Sequence, residues 1–273
     1  MSIRLIVTDI DGTFFDDAHN YDVDRFNAQY AEMQKQGIRF AVASGNQLPH
    51  LHYIFDRKSP LTTFVAENGS HIVDGAKVIS ETMIPMQTVH ELLTHLAAHE
   101  IFDNAHVRLS GKQNTYLQAN DPTINDDIVQ YYLHDIAVVP DLMQVNDEIY
   151  KVNLDWRYHD IETQSEKLNA LFGDYLHATP SGSGSIDIIP NGVNKAFGID
   201  QLRDYWQLSK DEIMAFGDNF NDLEMLQHVK HGYVMKNATK SMHEFGLPTT
   251  PLDNNHSGVL DMIDRVLTGT FPE

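Results

Sequence analysis

Apolar and polar positions along this chain follow two rhythms. Residues 3–8 concentrate Ile3, Leu5, Ile6 and Val7 and stop at Asp9, the pattern of a short buried strand. Over 22–36, Val23, Phe26, Tyr30 and Met33 recur at helical spacing, and Gly37 follows as a C-terminal stop. Residues 38–43 predict a second buried strand running into Ser44-Gly45, followed by a helix over about 47–56 and a strand at 62–66. Apolar strands separated by amphipathic helices predict a parallel α/β architecture, because parallel strands are covered on both faces.

From about 84 to 184 the character changes. Helical stretches at 86–99, 122–132 and 160–171 mix with an alternating strand at 151–155, and Ser181-Gly182-Ser183-Gly184 brackets the end. This predicts an inserted α/β domain at 84–184 within a core made of 1–83 and 185–273. Ile84-Pro85 and the 181–184 stretch are the expected hinges. The first rhythm then resumes, with strands at 186–189, 213–216 and 233–235 and helices at 194–206 and 222–228. The last helix places Val259, Met262, Ile263, Val266 and Leu267 on one face.

Composition narrows the function. The 273 residues carry 39 acidic and 19 basic side chains, a formal charge of −20, and no cysteine. That excludes a disulfide scaffold, a cysteine nucleophile and thiolate metal sites. The charge argues against nucleic acid or an anionic membrane as partner. An anionic ligand would therefore need positive charge from a metal, a lysine or backbone amides. No apolar run approaches the ~20 residues of a membrane span. Three consecutive apolar residues after Arg4 are too few for a secretory signal. A cytoplasmic monomer is the expectation.

Four segments can carry chemistry. Asp9-Ile10-Asp11-Gly12-Thr13 sits where a buried strand ends, the place where parallel sheets bind ligands, although solvated acids in a turn would read the same way. Gly217-Asp218-Asn219-Phe220-Asn221-Asp222 follows another strand. Helix capping needs one acceptor, and this segment offers four Asp or Asn side chains in five residues. Ser44-Gly45-Asn46 combines a hydroxyl with amides before a helix, a phosphate cradle or a plain N-cap. Lys195 stands in a first helical turn, against the helix dipole, and a solvated lysine is the simpler alternative. Together they make sense: crowded carboxylates repel, a hard divalent cation relieves them, oxygen ligands select Mg²⁺, and the serine, amides and lysine suit a phosphate. The histidines carry less. His90 and His95 miss the metalloprotease spacing by one residue, while His95 and His99 have i, i+4 spacing that also fits a solvated face. Tyr131-Tyr132-Leu133 reads as core packing.

These four motifs, in order, resemble those of the haloacid dehalogenase superfamily, specifically its Cof-type phosphatases. Phe26–Tyr30, Val42–Gln47, Val65–Gly69 and Asp253–His256 are similar to bacterial sugar phosphatases. The resemblance implies a Rossmann-like core with a central parallel sheet and an inserted α/β cap. It implies a Mg²⁺-dependent phosphatase for small sugar phosphates, working through an aspartyl-phosphate. Asp9 would be the nucleophile and Asp11 the acid and base. Asp9, the Asp11 main-chain carbonyl and Asp218 would hold Mg²⁺, with Asp222 an outer-shell partner or occasional ligand. Ser44, Lys195 and Asn221, with amides near Ile10 and Gly45, would hold the phosphoryl oxygens. Many relatives carry Arg where this chain has Asn46, so that arginine's role does not transfer. Asn68 and Ser70 are candidates for touching a sugar. A sugar phosphotransferase or phosphomutase on the same core, and a non-catalytic phosphometabolite-binding regulator, remain open. Asp11 argues against a dehalogenase, whose leaving group needs no acid, and the first strand lacks the glycine pattern of a dinucleotide site.

Overall fold

The computed structural model describes residues 2–156, 161–182 and 184–271. The chain begins with β1 (Leu5–Thr8), α1 (Val23–Gln36), β2 (Arg39–Ala43), α2 (Leu48–Phe55), β3 (Thr63–Ala66), β4 (His71–Asp74) and β5 (Lys77–Glu81). There follow α3 (Met86–Ala98), β6 (His106–Gly111), β7 (Thr115–Gln118), α4 (Asp127–Tyr132), β8 (Ile136–Val139), β9 (Ile149–Asp155), α5 (Glu162–Phe172), β10 (Leu176–Gly182) and β11 (Ser185–Pro190). The last elements are α6 (Lys195–Trp206), β12 (Ile213–Gly217), α7 (Leu223–His228), β13 (His231–Val234), α8 (Lys240–His243) and α9 (Gly258–Leu267).

Two sheets result. The first runs β13-β12-β1-β2-β3-β4-β5. Its pairings from β13 to β3 are parallel, with Leu5 opposite both Ile213 and Arg39, and β4 and β5 add an antiparallel hairpin at the edge. The apolar runs have both faces covered. Ile6, Phe40, Val42, Phe64 and Phe216 join one core with Phe26 of α1 and Met262 of α9. Leu5, Val7, Ala41, Val65 and Ala215 join a second core with Ile199 of α6 and Leu226 of α7. The period-two alternation therefore separates two cores rather than core from solvent.

The second sheet runs β10-β11-β9-β6-β7-β8 and is antiparallel except where β8 pairs with β7. Only one of its faces is apolar. Leu109, Val152, Leu154, Ile186 and Ile188 pack on Val89, Leu92 and Leu168 from α3 and α5. Its other face carries Arg108, Ser110, Lys151, Asn153, Asp155 and Asp187, and this face meets the first sheet's loops.

The sequence-based outline needs correction in three places. The strand at 186–189 does not resume the first sheet. It is β11, paired antiparallel with β9 and β10, so the second sheet ends at Pro190 and not at 184. The chain returns to the first layer through residues 191–194. The 181–184 stretch is accordingly the turn between β10 and β11, with Gly182 and Gly184 at positive φ, and not a hinge (Ser183 lies outside the described residues). The helix expected over 122–132 shortens to Asp127–Tyr132, because Asp121 accepts from the Thr123 amide and hydroxyl and turns the chain first. β4–β8 and β10 are strands that the sequence reading did not place individually.

Phe26 is fully buried and its ring lies 5.0–5.8 Å from those of Phe14, Tyr21, Tyr30 and Phe40. Phe26→Ala should lower unfolding free energy by about 3–5 kcal/mol. Denaturant titration checks this, and a loss under about 1 kcal/mol would contradict the packing described.

Candidate active site

Parallel pairing of β12, β1 and β2 brings their C-terminal ends to one edge of the sheet. At β1 the strand order reverses, with β12 on one side and β2 on the other, and such a switch point opens a crevice. Asp9 follows β1, Ser44 follows β2 and Asp218 follows β12. After Asp9 the chain turns sharply: Asp11 is extended and Gly12 has φ +77°. A Cβ on Gly12 would also lie 2.6 Å from an Asp218 carboxylate oxygen, so glycine lets these two loops touch.

Carboxylates of Asp9, Asp218 and Asp222 each place an oxygen within 4.8 Å of the others. Lys195, fully buried at the start of α6, donates from Nζ to Asp9 Oδ1 at 2.7 Å and to Asp222 Oδ1 at 2.6 Å. The lysine that looked misplaced against a helix dipole is thus an ion-paired core residue. Asn194 caps its helix by accepting from Phe197 N. Asp222 is completely occupied, since its Oδ2 accepts from the amides of Asp218 and Asn219 at 3.0 Å each. Thr13 Oγ1 donates to Asp218 Oδ1 at 2.7 Å.

Three carboxylates around one ammonium leave excess negative charge in a buried place. Burial lifts the Asp9 carboxyl well above its usual range, against the pull of Lys195 and with help from Asp222 and Asp218. Burial and then Asp222 push Asp218 up to about 7, against the Thr13 hydrogen bond. Burial alone would lower Lys195, but Asp222 and Asp9 outweigh it and hold its ammonium above the usual lysine range. Among the described residues Asp9 Oδ2 and Asp218 Oδ2 have no hydrogen-bond partner. Two free, hard oxygens in an over-negative cluster fit a divalent cation with oxygen preference. Asp222, with both oxygens committed, fits a supporting role.

Asp11 is half-exposed, with His19 Nδ1 3.2 Å from Oδ1 and Asn46 Nδ2 3.4 Å from Oδ2. Asn46 also donates its amide to Ser44 Oγ at 3.1 Å, leaving the serine proton free to point at a ligand. Asn221 reaches in from the turn after β12 and donates to Asn68 Oδ1 at 3.3 Å. Ile10, by contrast, is a core residue through its side chain.

A cavity of about 410 Å³ opens over this cluster. Asp9, Asp11, Ser44, Gly45, Asn46 and Asn221 line its floor; Arg108, Lys151, Asn153, Asp155 and Asp187 line it from the second sheet. Sequence reading missed the second group, although the 151–155 alternation placed Lys151, Asn153 and Asp155 on one face. Which face pointed at the crevice was not readable. Lys151 is buried and bonds across the layers to Gly45 O at 2.5 Å and Glu67 Oε2 at 3.0 Å, and within its own sheet to Asp187 Oδ2 at 3.3 Å. Burial would lower it, but Asp187 and Glu67 hold it above its usual range. Asp187 also accepts from Asn68 Nδ2 at 2.7 Å.

Asn68 and Ser70 do not line this cavity. Asn68 is tied to Asp187 and Asn221, and Ser70 is fully buried. Tyr131-Tyr132-Leu133 is not core packing either. Tyr132 and Leu133 line the cavity, and Tyr131 and Tyr132 stack around His50 at ring distances of 5.1 Å. His95 and His99 stack on each other at 3.9 Å on α3, and neither lines the cavity over the acidic cluster.

The raised Asp218 carboxyl has a consequence without metal. Its folded value of about 7 exceeds its unfolded value of 3.8, so the folded state binds more protons between those limits. Stability should fall as pH rises through this window. In metal-free protein, Asp218→Asn should then stabilise by roughly 2–4 kcal/mol at pH 8 relative to its effect at pH 4. Thermal unfolding in chelator at both pH values checks this; an effect independent of pH would contradict it.

Comparison with known proteins agrees with this geometry. The family model for haloacid dehalogenase-like hydrolases matches residues 6–263. The chain is 34% identical over 272 residues to the 5-amino-6-(5-phospho-D-ribitylamino)uracil phosphatase YbjI of Escherichia coli K12, covering 100% of this chain and 99% of that protein. It is 24% identical to phosphoglycolate phosphatase 1 of Saccharolobus solfataricus, covering 98% of each chain. Among solved structures, SMU.1108c from Streptococcus mutans UA159 superimposes with a TM-score of 0.91 at 29% identity, over 98% of this chain and 100% of that one. The chain belongs to the haloacid dehalogenase-like hydrolase family, as one of its phosphomonoester hydrolases.

Proposed function

We propose that this phosphatase is Mg²⁺-dependent and hydrolyses small phosphorylated sugars or polyols through an aspartyl-phosphate on Asp9. One observation carries the reading: Asp9 is fixed by Lys195 beside Asp218, with an oxygen free on each carboxylate and an anion cradle facing them. Asp9, the Asp11 main-chain carbonyl and Asp218 would hold Mg²⁺, which when bound supplies charge neutralisation to the phosphoryl oxygens.

The chain's own groups divide the work. Ser44, Asn221, Lys195 and the amides near Ile10 and Gly45 orient the phosphoryl group for in-line attack. One Asp9 carboxylate oxygen attacks phosphorus, its other oxygen remaining for the cation, and the ester P–O bond breaks. Asp11 gives its proton to the departing alkoxide. It then takes a proton from the water that attacks the aspartyl-phosphate, releasing inorganic phosphate and freeing Asp9. Asp11 suits both steps because it is half-exposed and held loosely by His19 and Asn46, unlike the fixed Asp222.

A phosphate on a polyol chain is common to sugar phosphates and to the ribityl substrate named for the Escherichia coli relative. The test is phosphate release from a panel of phosphorylated sugars, sugar alcohols and 5-amino-6-(5-phospho-D-ribitylamino)uracil, with Mg²⁺ and with chelator. Asp9→Asn should lower kcat by about 1,000-fold or more while the chain stays folded. Turnover that survives Asp9→Asn, or that ignores chelator, would refute the proposal. An isomeric sugar phosphate without free phosphate would point to phosphotransfer instead.

A further inference from the structure

The end of the cavity away from Asp9 has its own electrostatics. Among the described residues two cations, Arg108 and Lys151, and two carboxylates, Asp155 and Asp187, line it, and a third carboxylate, Glu67, lies buried behind Lys151 and pairs with it. The formal sum is 2 − 3 = −1. Both cations are already committed. Lys151 is held between Glu67 and Asp187 and also donates to the Gly45 carbonyl. Arg108 donates to Asp155 Oδ2 at 3.1 Å, and to Thr123 Oγ1 and Asn153 Oδ1 at 3.3 Å each. These groups are buried or nearly so, where an unpaired charge is costly.

We propose that this end of the site selects a phosphomonoester whose leaving group is uncharged and hydroxyl-rich, and rejects leaving groups bearing a second phosphate or a carboxylate. The inference rests on the phosphatase reading above and goes beyond it by naming the leaving group's charge. A second anion finds no spare cation among the described residues that line the cavity. To bind, it must take Arg108 from Asp155 or Lys151 from Asp187 and Glu67, leaving a buried carboxylate unpaired. A hydroxyl needs no such exchange. It donates to Asp155 or Asp187 and accepts from Arg108 Nε. That Nε–H is buried, with Arg108 only 8% exposed, and has no hydrogen-bond partner among the described residues. A buried donor left open at a cavity wall calls for a ligand oxygen. A neutral one suffices, because Asp155 already balances the guanidinium. Specificity then comes from what the wrong substrate leaves unpaired.

The experiment uses substrate pairs that differ in charge at one end: glucitol 6-phosphate against 6-phosphogluconate, and fructose 6-phosphate against fructose 1,6-bisphosphate. With Mg²⁺, kcat/KM for the neutral member should exceed that for its anionic counterpart by about 30-fold or more. Asp155→Asn frees Arg108 and should narrow the ratio to about fivefold or less, largely by improving the anionic member. Asp187→Asn should narrow it in the same direction and serves if the first variant misfolds. A wild-type ratio near one, or a ratio that neither folded variant moves, would overturn the inference. Absence of phosphate release even from p-nitrophenyl phosphate would overturn the phosphatase reading instead. The pairs would then be compared by calorimetric binding in Mg²⁺, where the same preference is expected and equal affinities would overturn the inference.

Discussion

The buried ammonium of Lys195 between Asp9 and Asp222 is the interaction on which the rest of the site depends. It joins positions 186 and 27 residues apart in the chain. The parallel pairing of β1 with β12, and α6 packed on the same sheet over β3–β5 and against α7, bring those positions together. One lysine cannot neutralise three carboxylates, so the cluster keeps a deficit of positive charge. Burial, helped by the neighbouring carboxylates, raises Asp9 and Asp218, and the excess of carboxylate suits the crevice to a cation. Breaking such a buried pair from one side typically costs 3–5 kcal/mol, so folding and chemistry share the same contact.

A second constraint lies where the two layers meet. Glu67 and Asn68 both adopt left-handed backbone at φ 53°, a conformation that costs ordinary side chains energy. Their side chains are held from the second sheet: Ser110 Oγ donates to Glu67 Oε1 at 2.5 Å, Lys151 pairs with Glu67, and Asp187 accepts from Asn68. Gly69 must follow, since a Cβ there would lie 2.2 Å from the Asn194 carbonyl, just before Lys195. The strained turn therefore touches the start of the helix that carries the central lysine. Through Gly45 O, Asn46 N and Ser44 Oγ, hydrogen bonds also run from Lys151 to the anion cradle. The two layers are thus mechanically joined.

These two polar knots differ in purpose. Around Asp9 the carboxylates outnumber the single ammonium. Around Lys151 and Arg108 each cation is matched by carboxylate.

Much of this was legible in the linear order of residues. The buried strands before Asp9, Ser44 and Asp218 were visible as apolar runs stopping at polar residues, because a strand covered on both faces must be apolar at every position. The four motifs marked Asp9, Asp11, Ser44, Lys195, Asp218, Asn221 and Asp222 by type and order. Local sequence could not place the strand at 185–190, since an apolar run states that it is buried but not in which sheet. Nor could it tell Lys195 as a core ion pair from a solvated lysine, or Tyr132 at the cavity from a core aromatic. Lys151, Asn153 and Asp155 share a face by alternation alone, but whether that face met solvent or the crevice depended on pairing with β6 and β11. Periodicity is set by neighbours a few residues away and survives in the sequence; partners more than a hundred residues distant are chosen only when the sheets close.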